Sequence, residues 1–287
     1  MSLLTGVSAA GQTRELDTLW KAARAGDYRT PGRVELQRAS ELFRRELAAD
    51  PSPQLQQDWQ ALGWQRSSVL LAGIPCHAVH ESPERREGRG FYLFCPQADS
   101  RSALQAPHAF KDLHTGRIAL ALAHRARFRA VAWNTVPRYS EDAQGRHSAD
   151  LAHLQESYFT ALTRALATDS TVEHVIQLHG FSRQKRKGNG RDAHIIVSNG
   201  TRRPDRAVLD LATRLRAALG VDTRVFPHDI RELGALTNRQ GKLLRAAGRQ
   251  AFIHIELSTE TRKRLRNDAE RRRAFADSLP GARSKTP

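Results

Sequence analysis

The chain predicts an α/β fold: a three-layer α/β/α arrangement around a mainly parallel mixed sheet (residues 67–287), preceded by a helical extension (residues 1–66) packed on that core. Three observations carry this reading. From Ser68 onward, short runs rich in Val, Ile and Phe alternate with longer helical patterns, as parallel strands and their crossover helices require. The helix expected over 149–167 presents Leu151, Leu154, Tyr158, Leu162 and Ala165 on one face. Before Ser68 only helical periodicity is found.

In order, Leu16, Leu19, Trp20 and Ala23 mark a first amphipathic helix within 13–62, Val34 to Leu47 a second, and Pro53 to Leu62 a third that stops at Gly63. These helices carry no evident chemistry and read as a cap or flanking layer. A hairpin follows, with strands over 68–80 and 90–95 joined by the polar ESPERREGRG. Further strands are expected at 103–106, 128–133, 173–178, 194–198, 223–226 and 251–256. Helices are expected at 112–126, 149–167, 205–219, 239–247 and 259–277.

Composition narrows the function. At 287 residues and 39% hydrophobic content the chain buries a sizeable core, and no apolar run approaches the length of a membrane span. A net charge of +16 favours anionic partners, but the arginines are spread along the chain and aromatics make up only 6%, so a nucleic-acid stacking platform is not supported. Nucleic acid is therefore not the expected partner, and oligomeric state is left open. Cys76 and Cys95 fall in two consecutive strand-like runs; a cross-strand disulfide and two free thiols both fit, and neither is spaced as a zinc-thiolate site. The start of the chain lacks the charged-then-apolar order of a signal peptide. The expected location is periplasmic or secreted if a native leader has been removed, and cytoplasmic otherwise.

The chemistry gathers at strand ends. In QAPHAFKDLHTGRIALAL a strand ends at Pro107, and a helical turn there puts His108 and Asp112 on one face, where an imidazole and a carboxylate converge on one ion. His179, in VIQLHG, closes a second apolar run and supplies a third ligand. With Asn134–Thr135, Asn199–Thr201 and Glu256, these residues fall at or just past the C-terminal ends of predicted strands, the edge where open α/β sheets bind ligands. Two histidines and one carboxylate leave an open position on a tetrahedral zinc, the arrangement of a catalytic site holding one ion per chain. Such an ion suits amide hydrolysis. Glu256, in the apolar strand FIHIELS, is the expected general base; its bland alternative is an ion pair with an arginine. His254, on the same side of that strand, reads as packed.

An anionic substrate calls for cationic or polar contacts, and Arg138, in WNTVPR, is best placed as a clamp. Arg262 in the last helix, Asn199, Asn238 and His153 complete the expected substrate-binding set. For Arg262 a helix-surface charge serves equally; the asparagines read first as helix or turn caps, and His153 by default as a first-turn surface residue. The basic loop FSRQKRKGNGRDA reads as a solvated loop or as a flap that attracts an acidic substrate.

APHAFKDLHTGRIALALA, VIQLHGF and FIHIELS, in that order, resemble the N-formylglutamate amidohydrolase and poly-γ-glutamate hydrolase group of zinc enzymes, over roughly residues 68–265. The resemblance implies a carboxypeptidase/phosphorylase-hydrolase-like fold. His108, Asp112, Thr115, Ile118 and Ala119 match the group's first motif in order, His179 and Gly180 its later His-Gly pair, and Glu256 its late-strand glutamate. It thus implies the same zinc ligands and base. Ala109 and Phe110 stand where the group has glycines, its acidic ligand is Asp here rather than Glu, and the spacing is one residue shorter, differences that bear on the pocket floor. The expected function is hydrolysis of a peptide or glutamyl-type amide in a small anionic substrate. A non-catalytic basic protein that binds polyanions or nucleic acid is the alternative from another class, and ester or phosphate substrates are the alternative within hydrolases.

Overall fold

A computed structural model describes residues 9–125, 127–140 and 149–281. The Met1-Ser2-Leu3 start and residue 126 of the expected helix 112–126 lie outside them. Three helices, α1 (Ala9–Ala22), α2 (Arg33–Leu47) and α3 (Pro53–Ala61), precede β1 (Trp64–Leu71), β2 (Ile74–Glu81), β3 (Phe91–Phe94) and β4 (Ser102–Ala106). Then come α4 (Thr115–Ala123), β5 (Ala130–Trp133), α5 (Tyr158–Thr168), β6 (His174–Phe181), β7 (Ile195–Ser198), α6 (Arg206–Leu219) and β8 (Thr223–Val225). The chain closes with α7 (Arg239–Ala246), β9 (Phe252–Ser258), α8 (Thr259–Asn267) and α9 (Ala269–Ser278).

The strands form one mixed sheet in the order β1-β2-β3-β5-β4-β6-β9-β7-β8. Its centre, β5-β4-β6-β9, is parallel, as the alternation of strands and helices requires. The β1-β2-β3 edge is antiparallel, β3 pairs antiparallel with β5, and β7 runs antiparallel to β9 while pairing parallel with β8. The parallel share is therefore smaller than expected.

The central strands are buried on both faces, and their alternating side chains meet two separate layers of helices. Leu104, Ile176, Leu178, Ile253, Ile255 and Leu257 face α1, α4, α6, α8 and α9. Ala103, Val175 and Phe252 face α2, α3, α5 and α7. The N-terminal helices are thus divided between the two layers rather than forming one of their own. On the second face, polar residues replace apolar ones towards the C-terminal ends of the strands: Gln105, Gln177, His179, His254 and Glu256 are all buried there.

Several expected elements break where a local signal overrides periodicity. The run 68–80 is two strands, because Ala72 and Gly73 both adopt positive φ and turn the chain between Leu71 and Ile74. The expected helix 149–167 begins only at Tyr158, where Ser157 and Thr160 form a reciprocal cap, so Leu151 and Leu154 lie ahead of it, outside any helix. The last helix divides at Asp268, whose carboxylate caps Glu270 and Arg271. Cys76 and Cys95 form a disulfide across β2 and the end of β3.

Phe43 of α2 is fully buried among Trp59, Tyr92, Phe94 and Tyr158, with ring centroids 4.9–6.2 Å apart. It joins the N-terminal helices to the sheet and to α5. Phe43→Ala is expected to cost about 3–5 kcal/mol. In chemical denaturation the helices and the sheet should lose stability in one shared transition.

Candidate metal centre and catalytic site

The turn that follows β4 holds the first two expected ligands. His108 C=O accepts from Lys111 N at 3.0 Å and from Asp112 N at 2.8 Å, so one helical turn forms before α4 starts at Thr115. Asn134, just past β5, ties this turn down: its Oδ1 accepts from Ala109 N at 2.8 Å and its Nδ2 donates to Val136 C=O at 2.7 Å. His179 and Glu256 are direct partners in the parallel β6–β9 register and therefore point to the same face.

His108, Asp112 and His179 come together. Asp112 Oδ2 lies 3.6 Å from His108 Nδ1 and 3.5 Å from His179 Nδ1, and Gly180 N donates to the same oxygen at 3.1 Å. The three ligand atoms lie within 4.8 Å of one another and all three residues are buried. Donors about 2.0–2.1 Å from a tetrahedral zinc stand about 3.3–3.4 Å apart, close to the two separations found here.

Each histidine is oriented through its far nitrogen. His108 Nε2 donates to Asp150 Oδ1 at 2.8 Å, and the Nδ1 left behind is buried with no partner. His179 Nε2 is 3.1 Å from Gln177 Oε1. Both Nδ1 atoms are thereby turned towards Asp112, the second-layer arrangement typical of metal-bound imidazoles. A metal cation fits this donor set, which otherwise leaves a buried lone pair facing a carboxylate.

Burial pushes the Asp112 carboxyl up, but the imidazoles of His108 and His179 beside it outweigh burial and hold it below the usual carboxylate range. For His108, burial is outweighed by Asp112 and Asp150, which raise its pKa. Burial and the neighbouring His108 lower that of His179. Glu256 is pushed well above its ordinary value by burial and then by the charge of Asp112. Its Oε2 has no hydrogen-bond partner, and Oε1 lies 3.6 Å from His254 Nε2. Among the described residues that histidine is its only ion-pair neighbour, so the arginine pair considered from sequence is absent. His254 packs 4.7 Å from the His179 ring, and Glu256, His254 and His179 form a second close triad. His254 Nδ1 is buried without a partner, so nothing orients that imidazole as His108 and His179 are oriented.

The expected substrate contacts are distributed differently. Arg138 gives Nε and Nη2 to Asp150 Oδ2 at 3.0 and 2.6 Å, so its guanidinium is engaged with the carboxylate that steers His108. His153 lies in a turn rather than on a helix, with Nδ1 3.0 Å from Asp150 Oδ1 and Nε2 3.2 Å from Thr237 Oγ1. Asn238 caps α7 and also donates to Gln177 Oε1 at 2.7 Å, beneath His179. Arg262 is no surface charge. Buried, it donates to the carbonyls of Leu113 (2.8 Å), Leu257 (2.5 Å) and Phe181 (3.3 Å), stapling the ligand-bearing loop to the ends of β6 and β9. Burial lowers its pKa.

Asn199 is not brought to the site. Because β7 is antiparallel to β9, Ser198 pairs with His254, and the chain leaves β7 towards the opposite edge of the sheet. There Asn199 binds Arg203 C=O and Asp205 and lines a cavity of about 720 Å³ with Arg245 and Phe252. Phe110, expected to reshape the pocket floor, is half-buried with the Arg24 guanidinium 5.1 Å from its ring centroid.

Asp150 was not singled out from sequence; it lies 42 residues from His108 and no local pattern marks it. The buried glutamines did carry a signal. Gln105 and Gln177 are polar residues inside apolar strands, where burial is costly without partners.

No family model and no curated protein matches the chain. Among solved structures, a zinc-free apo form of YNDL shares 21% identity over 63% of this chain and 82% of its own, at a TM-score of 0.43. A bacteriophage poly-gamma-glutamate hydrolase shares 11% identity over 64% and 83%, at 0.42. Succinylglutamate desuccinylase from Chromobacterium violaceum shares 11% over 85% and 77%, at 0.41.

Gly180 is required by close approach: a Cβ there would run into the Arg262 guanidinium. Gly180→Ala is expected to destabilise the fold by about 1–3 kcal/mol through overpacking. Thermal unfolding should show the loss, and a substitution that leaves stability unchanged would mean that Arg262 is not held on this backbone.

Proposed function

We propose that the chain is a zinc-dependent hydrolase of an amide bond in an anionic substrate, with His108, Asp112 and His179 holding one ion and Glu256 acting as general base. The observation that carries this reading is the convergence of two oriented Nδ1 atoms on one buried carboxylate oxygen, beside a glutamate with an unpartnered oxygen. A zinc ion held there would polarise a carbonyl and acidify a water molecule. Glu256 Oε2 then takes a proton from the attacking water and delivers it to the leaving nitrogen, so that cleavage yields a carboxylic acid and an amine. Asp150, bound by Arg138 and His153, keeps His108 turned towards Asp112.

The anionic character of the substrate is supported by the net charge of +16 and by Lys185, Arg186 and Lys187 on the loop that follows β6. A peptide or glutamyl-type amide fits this charge. The Cys76–Cys95 disulfide supports an oxidising, periplasmic or extracellular location.

Protein purified without added metal should contain about one zinc per chain, and His179→Ala should lose it. Glu256→Gln should keep the zinc while hydrolysis of carboxylate-bearing amides falls by about 10²–10⁴-fold. Unchanged turnover in Glu256→Gln would remove the base from the mechanism, and absence of metal uptake would sink the hydrolase reading itself.

A further inference from the structure

We infer that a buried relay of side-chain amides, running from Gln240 through Gln177 and held by Asn238 and Gln105, dictates which nitrogen of His179 faces Asp112. The inference rests on the metal reading for its consequence, but its geometry is independent of any ion.

The orientation of every amide follows from the backbone groups that end the relay. Leu151 C=O can only accept, so the Gln240 atom 2.8 Å from it is the donor Nε2. Gln240 Oε1 then faces Gln177, 3.0 Å away, where only the amide nitrogen fits. The same Gln177 Nε2 donates to Gln105 Oε1 at 2.8 Å. Gln105 Nε2 in turn donates at 3.3 Å to Thr163 Oγ1, whose own proton goes to Phe159 C=O at 2.7 Å. From the other side, Gly241 N can only donate, and at 3.0 Å it claims Asn238 Oδ1, so that Asn238 Nδ2 points to Gln177 at 2.7 Å. Three backbone ends, Leu151 C=O, Phe159 C=O and Gly241 N–H, impose one answer: Gln177 presents its oxygen to His179.

Gln177 Oε1 can only accept, and it lies 3.1 Å from His179 Nε2. The imidazole proton is therefore on Nε2, and in the neutral ring the lone pair is on Nδ1, 3.5 Å from Asp112 Oδ2. Gln105, Gln177 and Gln240 are fully buried and Asn238 nearly so. Without Gln177, a buried Nε2–H would lose its acceptor, and Asp112 would become the acceptor within reach. The proton would then move to Nδ1, the atom a metal needs bare. Gln177 is thus a positioning residue for His179, and Gln240 and Asn238 position Gln177.

The test uses the full chain with histidine-selective ¹⁵N labelling, the His179 signals being assigned by difference from His179→Ala. In the metal-free protein, ¹⁵N NMR should show His179 protonated at Nε2. Gln177→Met, which keeps the volume without the hydrogen bonds, should shift the proton to Nδ1 and weaken zinc binding, measured by chelator competition, by about 10–100-fold. Gln240→Met cuts the relay one bond further away and should move both readouts less, in the same direction, giving a second reading if the first variant does not fold. An Nδ1-protonated ring in the unsubstituted protein would overturn the inference. So would variants that keep both the tautomer and the zinc affinity. If the unsubstituted protein takes up no zinc, the metal reading fails, and the tautomer shift alone decides whether the relay positions His179.

Discussion

The site depends on the parallel register between β6 and β9. Seven consecutive pairs join these strands, and His179 and Glu256 are one of them. Side chains alternate along a strand, so a slip of one residue would turn Glu256 to the opposite face, beside Ile176, Leu178 and the helices of the first layer. The apolar residues between the polar ones prevent that slip. Leu178, Ile253, Ile255 and Leu257 are buried on the first face, and a shift would expose them to a polar pocket while burying charge in a core.

This register explains why the second face can hold so many polar groups. It is closed by α5 and α7, which bring Thr163, Asn238 and Gln240 over the strands exactly where Gln105 and Gln177 need partners. A buried polar network is favourable only when its members are satisfied. Here the amides are all paired, whereas three buried atoms with no partner, His108 Nδ1, His254 Nδ1 and Glu256 Oε2, lie around the candidate centre.

Charges that look available in sequence are largely spent on structure. Arg262 covers Gly180 and binds three carbonyls, and Arg138 is engaged by Asp150. In each case the arginine stiffens a ligand-bearing segment: the loop ending at Leu113 in the first, and the His108 imidazole, through Asp150, in the second. Rigid support of this kind holds the candidate donors close to one another.

His108, Asp112, His179 and Glu256 were legible in the sequence because each is a polar residue at or near the end of an apolar run, and burial there demands a reason. The alternation of strands and helices likewise determined the layered α/β class. Position relative to one another was not legible. Asn199 ends a strand as His179 does, but the antiparallel setting of β7 sends it to the far edge of the sheet, since strand direction is decided by pairing and not by composition. Asp150 reaches His108 across a chain separation that no local periodicity encodes. The sequence by itself determined which residues were too polar for their surroundings; only the tertiary structure decided which of them share a space, because that depends on register and crossover, both set by long-range packing.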